Sequence, residues 1–247
     1  MKNNSYPSSS SSKTGFNRWI LLTSCIVMAL FVTSEKSYGQ AASTYIYATS
    51  TGNSLQTITS PTVVTTTVNG GVDDDYSLVT PAGFSFNGYN GVSYTQYSVS
   101  TNGWLAFGNN SATTIPSSLT SVSIPCVYAF GRDANLNTGN GGNLTHGPAA
   151  GGLYVFQFTN ESGGGSGAAS ATVFVTMQIV LWGTTSSSPG RIDVIYGSST
   201  GTPASAGTIG IRDAAGFVNG VNGSTSSTTT TMITTCRRRL TRTTCRC

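Results

Sequence analysis

An all-β antiparallel sandwich of jelly-roll or lectin-like type, behind a cleaved signal peptide, is the architecture this sequence predicts. Three observations lead there. Charged residues make up only 8% of the chain while β-branched and aromatic residues recur throughout, a composition suited to pleated sheets with polar loops. Short apolar runs alternate with Gly, Asn and Ser turn clusters, giving about ten short strands. No segment carries a sustained helical period of apolar residues, so neither a bundle nor an α/β fold is indicated.

Taken in chain order, Lys2, Lys13 and Arg18 precede an uncharged apolar run from Trp19 to Val32. These are the basic and hydrophobic regions of a secretory leader. The run is too short for the ~20 residues that a spanning helix needs. Small residues Ser37 and Gly39 place cleavage after Gly39, so residues 1–39 form the signal peptide and no stable membrane insertion is expected afterwards. A lipobox at Leu22–Cys25 fits poorly, because the apolar run continues past Cys25 instead of closing there.

The β-domain is expected over residues 40–223. Tyr45-Ile46-Tyr47 and Thr62–Val68 read as strands, with a turn at Asn69-Gly70-Gly71. The aromatics of Gly83-Phe84-Ser85-Phe86 alternate as on a half-buried strand. Tyr94–Ser100 and Trp104–Gly108 flank Asn102-Gly103, a pair that supplies the positive φ values of a tight hairpin. Trp104 is expected to pack inward beside that hairpin. Val122–Phe130 is a further apolar strand, and Pro125 argues for an edge or a bulge.

Gly139–Gly152 is rich in Gly and Asn and reads as a loop. Gly152–Phe158 and Ala171–Trp182 are strands joined by a Gly/Ser turn, hence an antiparallel pair. The second is apolar on both faces at its C-terminal half, as at the centre of a packed sheet. Arg191–Tyr196 alternates, with Ile192, Val194 and Tyr196 on one face. Thr208–Ile211 and Thr228–Ile233 complete the series.

Charge excludes one class of partner. The net charge of +4 comes from the two ends: between Gln40 and Thr235 only Arg132, Arg191 and Arg212 face Asp73, Asp74, Asp75, Asp133, Glu161, Asp193 and Asp213, a net −4. A mildly acidic body offers no footprint for nucleic acid.

The motif Gly83-Phe84-Ser85-Phe86, followed by Val99-Ser100-Thr101-Asn102-Gly103-Trp104-Leu105-Ala106-Phe107-Gly108, resembles the N-terminal β-sandwich domains of secreted, multidomain Bacteroidetes surface proteins. Many of those leave the cell by type IX secretion. Further matches are Ile124–Phe130 with Arg132-Asp133, Met177–Trp182, Arg191–Gly197 and Ala206–Ile211. Their order and spacing are similar to the nidogen-type extracellular domain as well. The likeness covers about residues 43–222 and rests on architectural motifs. It implies a secreted or outer-surface module and assigns no catalytic residue. Such proteins normally continue into repeats and a C-terminal sorting domain.

Residues 224–247 combine a Thr/Ser-rich strand with an abrupt tail, Cys-Arg-Arg-Arg-Leu-Thr-Arg-Thr-Thr-Cys-Arg-Cys. A one-base deletion in codons for Trp-Pro-Ala-Ser-Ala-Tyr yields the residue order at 236–241. The tail is therefore expected to be a frameshift product of a longer protein. Read as authentic, it would be a basic tail or a disulfide knot, since Cys236, Cys245 and Cys247 can pair in an oxidising compartment.

Candidate chemistry is sparse. Asp73, Asp74 and Asp75 are the one carboxylate cluster, and hard oxygens suit calcium, with Asp133 or nearby carbonyls completing the shell. A solvated charged turn is the competing reading, because the spacing matches no EF-hand or nonapeptide repeat. No other cofactor is indicated. The single histidine, His146, has no zinc-ligand partners in sequence and no nucleophile elbow for a triad. Surface aromatics Tyr89, Tyr94 and Trp104 would stack on sugar rings, unless they fill the core. The function expected is a non-catalytic structural or adhesive module contacting a cell-surface or matrix component. The alternatives are a polysaccharide-binding module of a larger secreted protein and, after it, a hydrolase.

Overall fold

Pairing in this protein follows the alternation of apolar and small polar side chains, which gives each strand one face to bury. The computed structural model describes residues 45–50, 52–65, 73–88, 92–109, 124–131, 134–136, 138–162, 173–201, 207–213, 216–223 and 233–238. The strands are β1 (Tyr45–Ser50), β2 (Thr62–Val63), β3 (Tyr76–Val79), β4 (Phe86–Asn87), β5 (Ser93–Tyr94), β6 (Tyr97–Ser100), β7 (Trp104–Phe107) and β8 (Cys126–Gly131). They continue as β9 (Asn143–Ala149), β10 (Leu153–Ser162), β11 (Phe174–Trp182), β12 (Ile192–Thr200), β13 (Gly207–Asp213), β14 (Gly216–Gly223) and β15 (Ile233–Arg238). One turn of 3-10 helix at Thr138–Asn140 is the helical structure among the described residues.

Two antiparallel sheets form a sandwich. One has seven strands in the order β1-β15-β12-β11-β10-β9-β2, the other six in the order β14-β13-β8-β7-β6-β3, and β4-β5 is a separate hairpin. Period-2 alternation sorts the side chains. Tyr154, Phe156 and Phe158 of β10, Ile179 and Leu181 of β11, and Ile192, Val194 and Tyr196 of β12 meet Val99, Leu105, Phe107 and Val127 of the other sheet in one buried cluster. The predicted inner face of β12 is thus the observed one, and β11 pairs antiparallel with β10 at the centre of its sheet as expected. The Tyr196 hydroxyl donates to the Ala129 carbonyl and ties the two sheets across the core. Each large apolar side chain buried here contributes about 1.5–3 kcal/mol.

The outer face of the seven-stranded sheet has its own cover. Leu153, Val155, Val180 and Ile195 point away from the main core and pack against Leu55 and Ile58. The segment carrying those two residues crosses the sheet between β1 and β2. The Gln178 amide grips the Gln56 backbone from both sides, accepting from its N–H at 2.8 Å and donating to its carbonyl at 2.9 Å. Gly147 and Gly197 make room for this strap. A Cβ at Gly147 would lie 2.5 Å from the Ile58 Cγ2, and one at Gly197 would lie 2.9 Å from the Leu55 Cδ1.

Several sequence expectations need correction. The Gly/Asn-rich segment read as a loop contains β9, because β10 and β2 pair with it on either side and supply the hydrogen bonds its composition does not promise. Pro125 marks no edge. β8 sits between β13 and β7, and the proline precedes it, where a missing N–H breaks no ladder bond while its carbonyl accepts from Phe107 N–H at 2.9 Å. The β6–β7 hairpin has a three-residue loop, with Ser100 opposite Trp104, and of the Asn-Gly pair only Gly103 has positive φ, at 71°. Trp104 does not enter the space between the sheets. Leu105 and Phe107 take the inner side, so alternation sends Trp104 to the outer face, against Ala106, Cys126 and Tyr128.

β14 is not legible in the sequence, since Gly216–Gly223 reads as turn until β13 is seen beside it. The expected strand at Thr62–Val68 begins as β2, and the Val64 N–H then donates to the Leu144 carbonyl at 2.8 Å. The signal peptide, residues 66–72, Tyr89, Arg132-Asp133, residues 224–232 and the tail beyond Arg238 lie outside the described residues.

Candidate functional site

Three chain segments meet at the end of the sandwich where the β6–β7 hairpin turns. The acidic triplet enters first. Asp74 has a φ of 49°, a conformation that Asp tolerates better than most residues. Its exposed carboxylate accepts from the Asn102 Nδ2 at 2.8 Å. Asp75 is fully buried; its Oδ1 accepts from the Tyr76 N–H at 2.7 Å, and its own N–H donates to Thr101 Oγ1 at 3.0 Å. Asp73 is half-buried and bridges to Asn135. The triplet is therefore split across three environments, and among the described residues no group of three or more His, Cys, Asp or Glu converges as a metal cage.

The hairpin loop is the hub of this end. Thr101 and Asn102 have no exposed surface, although an Asn-Gly turn reads as a surface feature. The Asn102 side chain donates to Asp74 and accepts from the Ala134 N–H at 3.0 Å. Gly103 is pressed so closely that a Cβ would stand 3.0 Å from the Phe130 carbonyl oxygen and 3.1 Å from the Met177 Cε. The third segment, 134–136, continues the lacing, as the Ser162 N–H donates to the Asn135 carbonyl at 2.8 Å.

Sequence reasoning missed the most unusual group here. A bulge in β10 between Phe158 and Glu161, with Asn160 at φ 49°, adds a residue to the strand and re-aims the side chains after it. Glu161 stands opposite Leu136 and Val175, both members of the main core. It is fully buried, and among the described residues neither carboxyl oxygen has a hydrogen-bond partner. Desolvation holds the carboxyl protonated well above the usual range. Its only advance signal was a lone Glu at the end of a strongly apolar strand.

The remaining candidates are built into the framework. Tyr94 is partly buried, its ring 5.1 Å from that of Phe107 and its carbonyl accepting from the Tyr97 hydroxyl at 2.8 Å; burial raises its phenol pKa. Trp104 is 2% exposed, its ring 6.4 Å from Tyr128. His146 lies on β9 with its Nδ1 2.6 Å from the Tyr154 hydroxyl, and its ring stacks on Tyr154 and Phe156. Desolvation lowers the imidazole pKa and raises that of Tyr154 to about 12, so both are neutral near pH 7. On the outer face of the seven-stranded sheet, Asp193 accepts from the Trp182 indole and the Arg191 Nε, each at 2.8 Å, while the Arg191 guanidinium lies 4.5 Å over the Trp182 ring.

Two antiparallel sheets whose polar side chains lace the loops at one end define a β-sandwich module. The NIDO-related family matches residues 44–244, and the chain belongs to that family. Domains of this kind occur in extracellular modules. No curated protein and no solved structure matches the chain. Among the described residues, no helix is long and apolar enough to cross a membrane.

Proposed function

We propose that the chain is an exported, non-catalytic module with a structural or adhesive role at the cell surface or outside it, contacting a cell-surface or matrix component. The observation that carries this reading is the extent of the NIDO-related match, which takes in both sheets. The framework roles of Asn102, Asp74, Asp75 and Tyr94 support it, because these groups hold segments together. The likeness to secreted Bacteroidetes surface domains supports export, with type IX secretion as the route to test. The protein is expected to bind whole cells or immobilised matrix protein and to leave a glycan array flat.

A polysaccharide reading draws on one feature. Tyr94 is partly exposed and pairs with Phe86, and the neighbouring Ser85 hydroxyl lies 3.0 Å from that of Thr184, so aromatic and hydroxyl groups share one end of the sandwich. Array binding that disappears in Tyr94→Ala would replace adhesion with this reading. Hydrolysis of a glycan by the purified protein would overturn both.

A further inference from the structure

We propose that the outer face of the six-stranded sheet holds a carboxylate, bound by the Trp104 indole N–H, the Tyr128 hydroxyl and the Arg212 guanidinium. Register places the three together. Trp104 pairs with Tyr128, and Cys126, two residues before Tyr128 and on the same face, pairs with both Ala106 and Arg212. Trp104 and Tyr128 are 2% and 1% exposed. The indole Nε1 and the Arg212 Nε are buried and have no hydrogen-bond partner among the described residues. Indole and guanidinium can only donate, and burying donors without an acceptor is costly.

Among the described residues no carboxylate meets the indole and the guanidinium. The cluster's cross-strand neighbours on this face among those residues are Ser98, Ser100, Ala106 and Cys126, and none is acidic; the Ser100 hydroxyl already accepts from the Asn102 N–H at 3.2 Å. The Ser98 hydroxyl is already turned to the Gly108 carbonyl. Burial pushes the Cys126 thiol up to about 12 although the Tyr128 hydroxyl donates to it, so the thiol brings no negative charge; the Tyr128 phenol is raised further and would turn its O–H from this weak sulfur acceptor to the carboxylate.

The charge count selects the ligand. One guanidinium and two neutral donors match a singly charged group with two acceptor oxygens, and Arg pairs with planar carboxylates side-on. A doubly charged phosphate would leave one charge uncompensated in a buried place. Arg212 is partly exposed, so the carboxylate enters from its side. A free small acid and the uronate of an acidic saccharide share this chemistry.

The test monitors the Trp104 indole N–H resonance in the nitrogen-15-labelled protein. It is titrated with sodium acetate, with a galacturonate oligomer and with a neutral galactose oligomer at constant ionic strength. A saturable shift with either carboxylate and none with the neutral sugar is expected. Tighter binding of galacturonate than of acetate identifies an acidic saccharide as the source, and equal binding a free acid. Arg212→Gln should weaken the interaction about tenfold or more. Should that variant fail to fold, Trp104→Phe keeps the ring, removes the donor and should weaken binding several-fold by calorimetry. Absence of a saturable shift with both carboxylates, or unchanged affinity in the folded variant, overturns the proposal.

Discussion

Glu161 allows a sharp test of how the core treats a misplaced charge. Its carboxyl is fully buried without a hydrogen-bond partner among the described residues, and desolvation raises its pKa well above the ordinary 4.5. Below pH 4.5 the folded and unfolded chains both carry the proton, and this group adds no pH dependence. Above it the unfolded chain releases the proton while the folded chain keeps it. Unfolding then becomes easier by about 1.4 kcal/mol per pH unit, until the pH reaches the folded-state pKa.

Glu161→Gln keeps the shape and removes the titration. The stability of the variant minus that of the parent should rise by about 2 kcal/mol between pH 5 and 6.5, or roughly 4–8 °C in Tm. His146, whose lowered pKa makes stability fall as pH drops below 6.5, is present in both proteins and cancels in the difference. Glu161→Leu should gain a further ~1–3 kcal/mol at every pH, because it removes a polar group that nothing satisfies. Urea unfolding monitored by tryptophan fluorescence across this range is the assay. A flat difference between parent and Gln variant would refute the reasoning, since it would mean the carboxyl is ionised or solvated in the native state.

Three other perturbations probe the framework. Gly147→Ala should cost about 1–3 kcal/mol through collision with Ile58, and combining it with Ile58→Ala should recover part of the loss in the same urea assay. Asp193→Ala strips the acceptor from Trp182 and Arg191; a loss of about 2 kcal/mol is expected, read as a Tm lower by roughly 4–8 °C. Asn102→Ala leaves the Ala134 N–H and the Asp74 carboxylate without this side chain. It should destabilise by about 1–3 kcal/mol and raise amide exchange at 134–136 ahead of the rest of the domain.

Strand existence is legible wherever one face alternates. β10, β11 and β12 carry apolar runs; the Gly/Ser turn gives the antiparallel pairing of β10 with β11, and alternation gives the inner face of β12. β9 and β14 are illegible because their composition is that of turns; only strands pairing beside them make extended backbone favourable there. The candidate acids and aromatics stand out by residue type. Residue type does not say that Asp74 and Asp75 occupy different environments or that Trp104 faces outward.

Sequence alone determined the all-β class, the acidic body between basic ends and the inner face of β12, because these arise from local composition and a two-residue period. Tertiary structure decided which turns are buried, which side each aromatic takes and where Glu161 ends up. Those outcomes depend on a single extra residue at a bulge and on pairings between segments far apart in the chain. A one-residue shift in a strand exchanges its two faces, and no local pattern records that shift.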